Sequence, residues 1–229
     1  MILRSMHSSL VIRHSSLELM LIAAGEVKLE VVLWEPKARP LRAAALLCHP
    51  HPLYGGTMNN RVVYRAAKGA AEAGLAALRF NFRGVGASTG SYDKGAGERK
   101  DVAALVDYLS GRYPALPLAL IGFSFGAWVG LQVGCHDPRV QALVGLGLPL
   151  DIYDFDFLID SEKPSLFISG TRDRFCQREK MELLARRLPP GSMVSWVEGA
   201  DHMFTREVNQ VQGLVRDFFR AQFEGNHRR

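Results

Sequence analysis

The feature of this sequence that most restricts its fold is a repeated alternation of short apolar runs with helical patterns. After residue 40 the chain alternates about six times between a run that suits one buried strand and a segment with an apolar stripe. One such stripe has the i, i+3, i+4, i+7 spacing of a helix face and consists of Val102, Leu105, Val106 and Leu109. This alternation predicts an α/β fold, with a mostly parallel central sheet and helices on both faces.

Two further strands are expected before this alternation begins. The segment from Leu17 to Pro36 contains two apolar-rich runs around an Ala-Ala-Gly-Glu turn, which predicts an antiparallel hairpin at the start of the sheet. With 229 residues, 48% of them hydrophobic and 22% charged, the chain can bury one sizeable core. We therefore expect a single domain over residues 17–224, preceded by a loose extension at 1–16 and followed by a basic tail at 225–229.

The net charge of the chain gives little support for a nucleic-acid or membrane partner. The formal charge is +5, but four arginines lie in the terminal segments without nearby acids: Arg4, Arg13, Arg228 and Arg229. The expected domain therefore carries only +1, and basic tails without an interior patch are weak signs of an anionic partner. We expect neither nucleic acid nor a membrane surface as a partner, and the oligomeric state, monomer or homodimer, stays open.

Cysteine usage and the N-terminal residues favour a cytoplasmic protein. The three cysteines are widely spaced and form no C-x-x-C pair: Cys48, Cys135 and Cys176. An odd number of separated cysteines is typical of reduced thiols rather than of a disulfide framework. The apolar run Leu19–Ala24 is too short to cross a bilayer and makes a poor signal-peptide core.

The strongest candidate for chemistry is the segment GFSFG, from Gly122 to Gly126, which lies between an expected strand and an expected helix. A G-x-S-x-G sequence in that setting is typical of a serine nucleophile at the apex of a sharp turn. The flanking glycines leave room for the turn, so Ser124 would stand exposed above the sheet edge. The N–H of Phe125 would begin the next helix, whose positive end can stabilise an oxyanion. Trp128, one turn further on, is expected in the core.

A serine hydroxyl needs a base, and the histidines after the motif give three candidates: His136, His202 and His227. His136 ends the helix that the serine begins, about 18 Å away at 1.5 Å per residue. His227 lies in the basic tail. His202 follows the strand SMVSWVEG on a loop at a carboxyl strand end, where ligands bind in open α/β sheets. His202 is therefore the expected base.

The expected acid is Asp173, which lies just beyond the strand PSLFISG at the same edge of the sheet. The chain order Ser124, Asp173, His202 is the order of nucleophile, acid and base in folds that carry this motif. Asp201 is the alternative acid, but it adjoins the histidine and would have to fold back to reach the ring. We interpret Asp201 as a loop carboxylate.

Other histidines and acids have simpler structural interpretations. His49 and His51 could suggest a metal site, but the sequence contains no H-x-x-x-D-H or H-E-x-x-H companion. The acids of the segment Asp151–Phe157 alternate with aromatic residues and have no histidine beside them, which favours a short loop or helix. Glu98 and Asp101 begin an expected helix, where acids complement the helix dipole. We therefore predict no metal site.

The segments GFSFG, GTRDRF and GADHMF, in this order, make the chain resemble the α/β-hydrolase superfamily over residues 17–224. The stretch HPHPLYGGTMNN followed by RFNFRGVGASTGSYDKGAGE is similar to a subgroup of small bacterial serine hydrolases without a cap, neighbours of carboxylesterases and dienelactone hydrolases. The resemblance implies that Ser124, Asp173 and His202 form a triad that acts on esters with no cofactor. The sequence departs from many relatives at Asn81, where they have aspartate, and from dienelactone hydrolases, whose nucleophile is cysteine; a serine nucleophile favours serine esterases.

The same resemblance implies that the His-Pro pair at 49–50 stands in the place of the family's His-Gly after the third strand. The next residue, His51, would then supply the second oxyanion N–H, beside that of Phe125. Because proline has no N–H, the only other donors at the start of this loop are Leu53 and Tyr54.

Larger members of the superfamily carry a cap between the sixth strand and the strand that bears the acid. Only Leu148–Lys163 fill that gap here, too few residues for a lid of several helices, so we expect an open groove. Leu53, Tyr54 and Phe123 flank the expected catalytic groups and are candidate substrate contacts. The expected activity is hydrolysis of short- to medium-chain carboxylic esters through an acyl-enzyme, as in a carboxylesterase of the EC 3.1.1 class with a small-molecule ester as its partner. Amide or peptide hydrolysis or acyl transfer by the same triad, and a non-catalytic binding role, stay open as alternatives.

Overall fold

The computed structural model describes residues 17–37 and 40–224. The loose extension expected at residues 1–16 and the basic tail expected at 225–229 lie outside the described residues. The described chain contains eight β-strands: β1 Leu17–Ala24, β2 Val27–Trp34, β3 Ala43–Cys48, β4 Leu75–Phe80, β5 Leu118–Phe123, β6 Val140–Leu146, β7 Ser165–Gly170 and β8 Ser192–Val197. It contains five α-helices: α1 Arg61–Glu72, α2 Ala96–Arg112, α3 Phe125–His136, α4 Arg178–Ala185 and α5 Val208–Phe223.

All described strands belong to one sheet with the order β1-β2-β4-β3-β5-β6-β7-β8. β2 pairs antiparallel with β1 and with β4, and every other pairing is parallel. The expected mostly parallel sheet with an antiparallel hairpin at its start is therefore confirmed. Parallel strands end at one edge, so the loops after β3, β5, β7 and β8 lie together there. The register of β3 and β5 pairs Cys48 with Gly122 at this edge.

Two hydrophobic clusters cover the two faces of the sheet. Residues of α2, α3 and α4 belong to one cluster, and residues of α1 and α5 belong to the other. Alternate residues of one strand contribute to both: in β3, Leu46 belongs to the first cluster and Leu47 to the second. Because both faces are covered, β3, β4, β5 and β7 are buried along their whole length.

Side-chain hydrogen bonds shape the approach to two of the helices. The Asn60 side chain accepts from the amides of Val62 and Val63 and so caps α1. The amide and the hydroxyl of Thr205 donate to the Asp201 carboxylate, which closes a turn before α5 begins. These contacts fix the ends of two loops that lie at the carboxyl edge of the sheet.

The connection between β6 and β7, residues 147–164, contains a single 3-10 turn among its described residues. Ion pairs hold it against α4 and the chain that follows α4: Asp151 pairs with Lys180, and Asp156 pairs with Arg187. Asp151 and Asp156 are thus used in salt bridges, and Asp154 accepts the Asp156 amide. No cap domain covers the carboxyl edge in the described part of the chain, as the short connection predicts.

Two of the three cysteine thiols are buried and protonated. All three cysteines are free, and Cys48 and Cys176 are buried. Burial raises the pKa of the Cys48 thiol and raises that of Cys176 to about 11, so both stay protonated at pH 7. None of the described helices is long and apolar enough to span a bilayer.

Candidate active site

Ser124 occupies a sharp turn between β5 and α3. Its backbone has φ +55° and ψ −121°, a positive φ that a residue with a side chain rarely adopts. Hydrogen bonds hold the strained turn: the Ser124 amide donates to the Leu146 carbonyl at 2.9 Å, and its carbonyl accepts from the amides of Ala127 and Trp128. The serine therefore lies at the carboxyl edge of the sheet, where the G-x-S-x-G pattern predicts it.

Close backbone contacts require the two glycines of this motif. A Cβ at Gly126 would lie 2.4 Å from the carbonyl oxygens of Cys48 and His49. A Cβ at Gly122 would lie 2.4 Å from the Cα of Ala127. Both distances are far inside van der Waals contact. Glycine at 122 lets the end of β5 meet the start of α3, and glycine at 126 lets the start of α3 pack directly on the loop after β3. This contact brings that loop next to the serine.

Three side chains from separate loops form a continuous chain of hydrogen bonds. Ser124 Oγ lies 2.9 Å from His202 Nε2, and His202 Nδ1 lies 2.8 Å from Asp173 Oδ2. The other carboxylate oxygen, Asp173 Oδ1, accepts the Phe175 amide at 2.8 Å. An ionised carboxylate only accepts, so it places the ring proton on Nδ1 and leaves Nε2 to accept from the serine hydroxyl. The structure thus brings together the three side chains that the sequence singles out, in an arrangement that can activate a serine.

The His202 ring is packed against two phenylalanines. The Phe123 ring lies 5.3 Å from it, and the Phe175 ring meets it edge-on at 4.8 Å between centroids. Gly147 makes room beside both rings, since a Cβ there would lie 3.2 Å from His202 Cε1 and from Phe123 Cε2. Phe123 is fully buried, so the expectation that it contacts substrate is wrong. Its ring supports the histidine instead.

The alternative acid and base of the sequence have other partners. Asp201 accepts from the amide and the hydroxyl of Thr205, and these hydrogen bonds lower the pKa of its carboxyl. It is a loop carboxylate, as expected. His136 Nδ1 lies 2.7 Å from the Gln132 carbonyl at the end of α3. His227 lies outside the described residues.

The start of α3 and the loop after β3 carry the candidate oxyanion donors. The Phe125 N–H is the first amide of α3, and the first amides of a helix have no intrahelical acceptor. In the facing loop, the Leu53 amide donates to His51 Nδ1 and the Tyr54 amide donates to the His51 carbonyl. These two alternative donors are thus occupied, and the His51 N–H is the candidate that remains in this loop. The rings of His51 and Phe125 lie 4.8 Å apart, so the two residues adjoin.

His49 is a buried structural residue. Its Nε2 accepts the Phe82 amide at 3.0 Å, so its Nδ1 carries the proton and donates to the Pro50 carbonyl at 2.6 Å. Burial lowers the pKa of His49 to about 4, so the ring is neutral at pH 7. Because both nitrogens have backbone partners, the ring is not a metal ligand here. No group of three or more His, Cys, Asp or Glu side chains within the described ranges is arranged to hold a metal ion.

Beside the site lie two exposed candidate substrate contacts from the sequence, Leu53 and Tyr54, and an aromatic pair that the sequence pattern does not mark, Trp128 and Tyr153. Leu53 and Tyr54 are 65% and 86% exposed in the loop of the candidate oxyanion donor, where a substrate can reach them. Trp128 is expected in the core but is only partly buried, and it stacks on Tyr153 at 4.3 Å. Tyr153 lies in the irregular connection between β6 and β7, which has no periodic pattern from which its position could be predicted.

The contacts of Asn81 explain why this sequence has asparagine where many members of the family that it resembles have aspartate. Its side-chain oxygen accepts the Met58 amide at 2.8 Å, and its Nδ2 donates to Glu30 Oε2 at 2.7 Å. An aspartate here would place a second carboxylate at hydrogen-bonding distance from Glu30. The asparagine therefore donates a hydrogen bond to the Glu30 carboxylate and supports the loop after β3. Neither contact involves Ser124, His202 or Asp173.

Comparisons with known proteins agree with the observed fold. A sequence model of a family described as an alpha/beta hydrolase domain matches residues 42–217. A Rickettsia prowazekii protein described as uncharacterised is 35% identical over 188 residues, which cover 78% of this chain and 79% of that protein. The structure of an alpha-beta serine hydrolase homologue from Coxiella burnetii is 34% identical, has a TM-score of 0.82 and covers 87% of this chain and 96% of its own. A serine hydrolase without a lid from Xanthomonas campestris is 29% identical, has a TM-score of 0.83 and covers 93% of this chain and 98% of its own.

Proposed function

We propose that this chain, which belongs to the alpha/beta hydrolase domain family and to its small members without a cap, is a serine esterase. In this proposal Ser124 is the nucleophile, His202 is the base and Asp173 is the acid. The observation that carries it is the continuous chain of hydrogen bonds from the Ser124 hydroxyl through the His202 ring to the Asp173 carboxylate. The relatives from Coxiella and Xanthomonas that are described as serine hydrolases support the reaction class.

The first half of the reaction transfers the acyl group to the enzyme. Ser124 Oγ attacks the ester carbonyl while His202 Nε2 takes the hydroxyl proton. Asp173 keeps the ring in the correct tautomer and stabilises the imidazolium that forms. When the tetrahedral intermediate collapses, His202 gives the proton to the leaving alcohol, and the acyl group stays on the serine as an ester.

Two backbone amides would stabilise the charge that develops on the carbonyl oxygen. The Phe125 N–H begins α3, whose positive end faces the site, and the His51 N–H lies in the adjoining loop. One such donor contributes about 3 kcal/mol to the stabilisation of a transition state. Both amides are held by helix and loop geometry, so they need little rearrangement when the oxyanion forms.

Water completes the cycle. It attacks the acyl-enzyme with His202 as the base, and Ser124 is regenerated when the carboxylic acid leaves. Each proton moves between these residues, the ester and water, so the proposed reaction needs no cofactor. Because no cap domain covers the site within residues 17–37 and 40–224, the proposed substrates are small-molecule carboxylic esters with short to medium acyl chains, as for carboxylesterases of the EC 3.1.1 class. The proposal places the enzyme in the cytoplasm, without a nucleic-acid or membrane partner.

Hydrolysis of p-nitrophenyl esters of graded acyl length tests the proposal. Ser124→Ala is expected to lower kcat/KM by at least about 10⁴-fold, because the nucleophile is lost. Ser110→Ala, a half-buried serine on α2, is the matched control and should keep wild-type activity. A fluorophosphonate should label the wild type and the control but not Ser124→Ala. Full activity in Ser124→Ala, or an unlabelled wild type, would contradict the proposal, and faster cleavage of the matching anilides would favour amide hydrolysis.

A further inference from the structure

Three tyrosines from separate loops surround the side of the site that carries the candidate oxyanion donors. We call Tyr54, Tyr92 and Tyr153 the tyrosine rim. Tyr54 and Tyr92 lie 4.6 and 5.0 Å from the His51 ring. Tyr92 and Tyr153 lie 5.9 and 6.2 Å from the Phe125 ring. The rim therefore converges on the two residues whose amides are proposed to bind the oxyanion.

The tyrosine rim lies at the border of the core: Tyr92 and Tyr153 pack against the core, but none of the three tyrosines is buried in it. Phe125 is 1% exposed and fills the core beneath the rim, whereas Tyr54 is 86% exposed. Tyr92 and Tyr153 are partly buried and keep part of their surface in solvent. Aromatic surface that stays exposed beside a reactive centre is a common feature of ligand-binding sites. The rim therefore offers flat aromatic faces to whatever group of the substrate extends past the oxyanion donors.

Two of the three rim rings are held in a fixed orientation. Tyr153 stacks on Trp128 at 4.3 Å with an interplanar angle of 10°. Tyr92 Oη lies 3.2 Å from His51 Nε2. Because His51 Nδ1 accepts the Leu53 amide, the proton of the neutral ring is on Nε2, which donates to the Tyr92 oxygen. An aromatic surface that is already oriented loses little conformational entropy when it binds a flat ligand.

We propose that the tyrosine rim binds an aromatic ring of the ester substrate, so that the enzyme prefers esters of aryl-bearing acids over saturated esters of the same size. This inference rests on the proposed esterase function of Ser124. An ester carbonyl between the serine and the amides of Phe125 and His51 would place a ring on a short spacer against the rim. Aromatic rings attract each other through their quadrupoles in offset or edge-on geometry, an interaction that a saturated ring cannot make.

The decisive experiment compares methyl hydrocinnamate with methyl cyclohexanepropanoate as substrates, with kcat/KM measured by pH-stat. The two acyl groups have the same length and ring size, but the saturated ring is the more hydrophobic, so simple burial would favour it. The rim predicts the opposite order, with kcat/KM about two- to tenfold higher for the aryl ester. Equal rates, or a faster saturated ester, would overturn the inference and leave the esterase proposal standing.

Rim variants show whether the preference comes from these rings. Tyr92→Leu and Tyr153→Leu should each lower the aryl preference about two- to threefold, whereas Tyr92→Phe, which keeps the ring, should retain it. Tyr64→Leu is the matched control, because Tyr64 is a 41% exposed tyrosine of α1 that packs on Trp34. An aryl preference that is unchanged in both leucine variants would remove the rim as its source.

A second measurement covers the case in which neither methyl ester turns over. The rate at which Ser124 reacts with a phenylethyl phosphonofluoridate is then compared with the rate for the cyclohexylethyl probe. A faster reaction with the aryl probe supports the rim, and equal rates overturn it. If Ser124 reacts with neither probe, the proposed function and the rim inference both fail.

Discussion

Two loops at the carboxyl edge of the sheet each contain a buried histidine, and they use it differently. His49 follows β3 and is fully buried, and His202 follows β8 and is 9% exposed. Both ring nitrogens of His49 meet backbone groups, whereas those of His202 meet the Asp173 carboxylate and the Ser124 hydroxyl. Position at the sheet edge and burial are therefore shared by both residues. What differs is the partner of each nitrogen, and this decides whether the ring can transfer a proton to a reacting group.

The loop after β3 contains a second histidine that contrasts with both. The ring of His51 accepts the Leu53 amide and contacts Tyr92, while its own N–H is the candidate oxyanion donor. In the proposed mechanism His202 therefore acts through its ring and His51 acts through its backbone. His49 supports the loop that contains His51. The same substitution, histidine to alanine, made at each of the three positions in turn, tests the three roles separately.

The largest effect is expected from His202→Ala. Removing the ring leaves Ser124 without a base, so kcat should fall by at least about 10⁴-fold in ester hydrolysis. His136→Ala is the matched control, because His136 is exposed at the end of α3 and bonds the Gln132 carbonyl. The control should hydrolyse esters at the wild-type rate. A loss of less than tenfold in His202→Ala would mean that the two loops do not differ in the way proposed.

The second effect is expected on stability rather than on chemistry. His49→Ala removes a buried ring and leaves the Phe82 amide without its acceptor, so the free energy of unfolding should fall by about 3 kcal/mol, as measured by urea denaturation. His49→Gln, which keeps an acceptor oxygen on a side chain of similar reach, should recover part of this loss. The kcat of the folded His49→Ala protein should fall far less than that of His202→Ala, and a loss as large as in His202→Ala would contradict the structural role.

Much of this site can be predicted from the sequence, because its motifs are local and a parallel sheet brings the strand ends that carry them to one edge. Ser124, Asp173 and His202 each follow an apolar run, and parallel strands end at one edge, so three distant residues can be placed together without knowledge of any contact. The same reasoning excludes His136, which lies on the far end of a helix. The mostly parallel sheet and its antiparallel first hairpin also follow from the sequence pattern, whereas the strand order, with β4 between β2 and β3, does not.

The parts that could not be predicted depend on tertiary contacts. Phe123 ends a strand that is buried on both faces, so the sequence pattern does not show that its ring lies against His202. Trp128 has the apolar character of a core residue and packs against the core, but it is only partly buried because its ring also stacks on Tyr153. Phe175 supplies both an amide to Asp173 and a ring to His202 from an irregular turn. Such contacts between loops have no period that a sequence can show.

The third prediction uses the pH dependence of stability to test whether the buried His49 ring is neutral. Burial lowers the pKa of His49 from 6.5 to about 4, so the folded state resists protonation while the unfolded state takes up the proton below about pH 6.5. The contribution of His49 to stability is therefore complete above that pH and is lost as the pH falls toward 4, by about 3 kcal/mol in total at 1.36 kcal/mol per pH unit. The difference in unfolding free energy between wild type and His49→Ala should narrow by about 2 kcal/mol between pH 7 and pH 5. A difference that stays constant over this interval would contradict a buried neutral ring.

The smallest effect is expected from His51→Ala, because this substitution keeps the backbone N–H. The variant loses the ring nitrogen that accepts the Leu53 amide and the contact with the Tyr92 hydroxyl. Both bonds lie near solvent, where one lost hydrogen bond costs about 1 kcal/mol, so kcat/KM for esters should fall about three- to tenfold. His51→Asn, whose short side chain can still accept the Leu53 amide, should fall by less. A loss near 10⁴-fold in His51→Ala, comparable to that expected for His202→Ala, would show that the His51 ring takes part in the reaction and would end the distinction between the two loops.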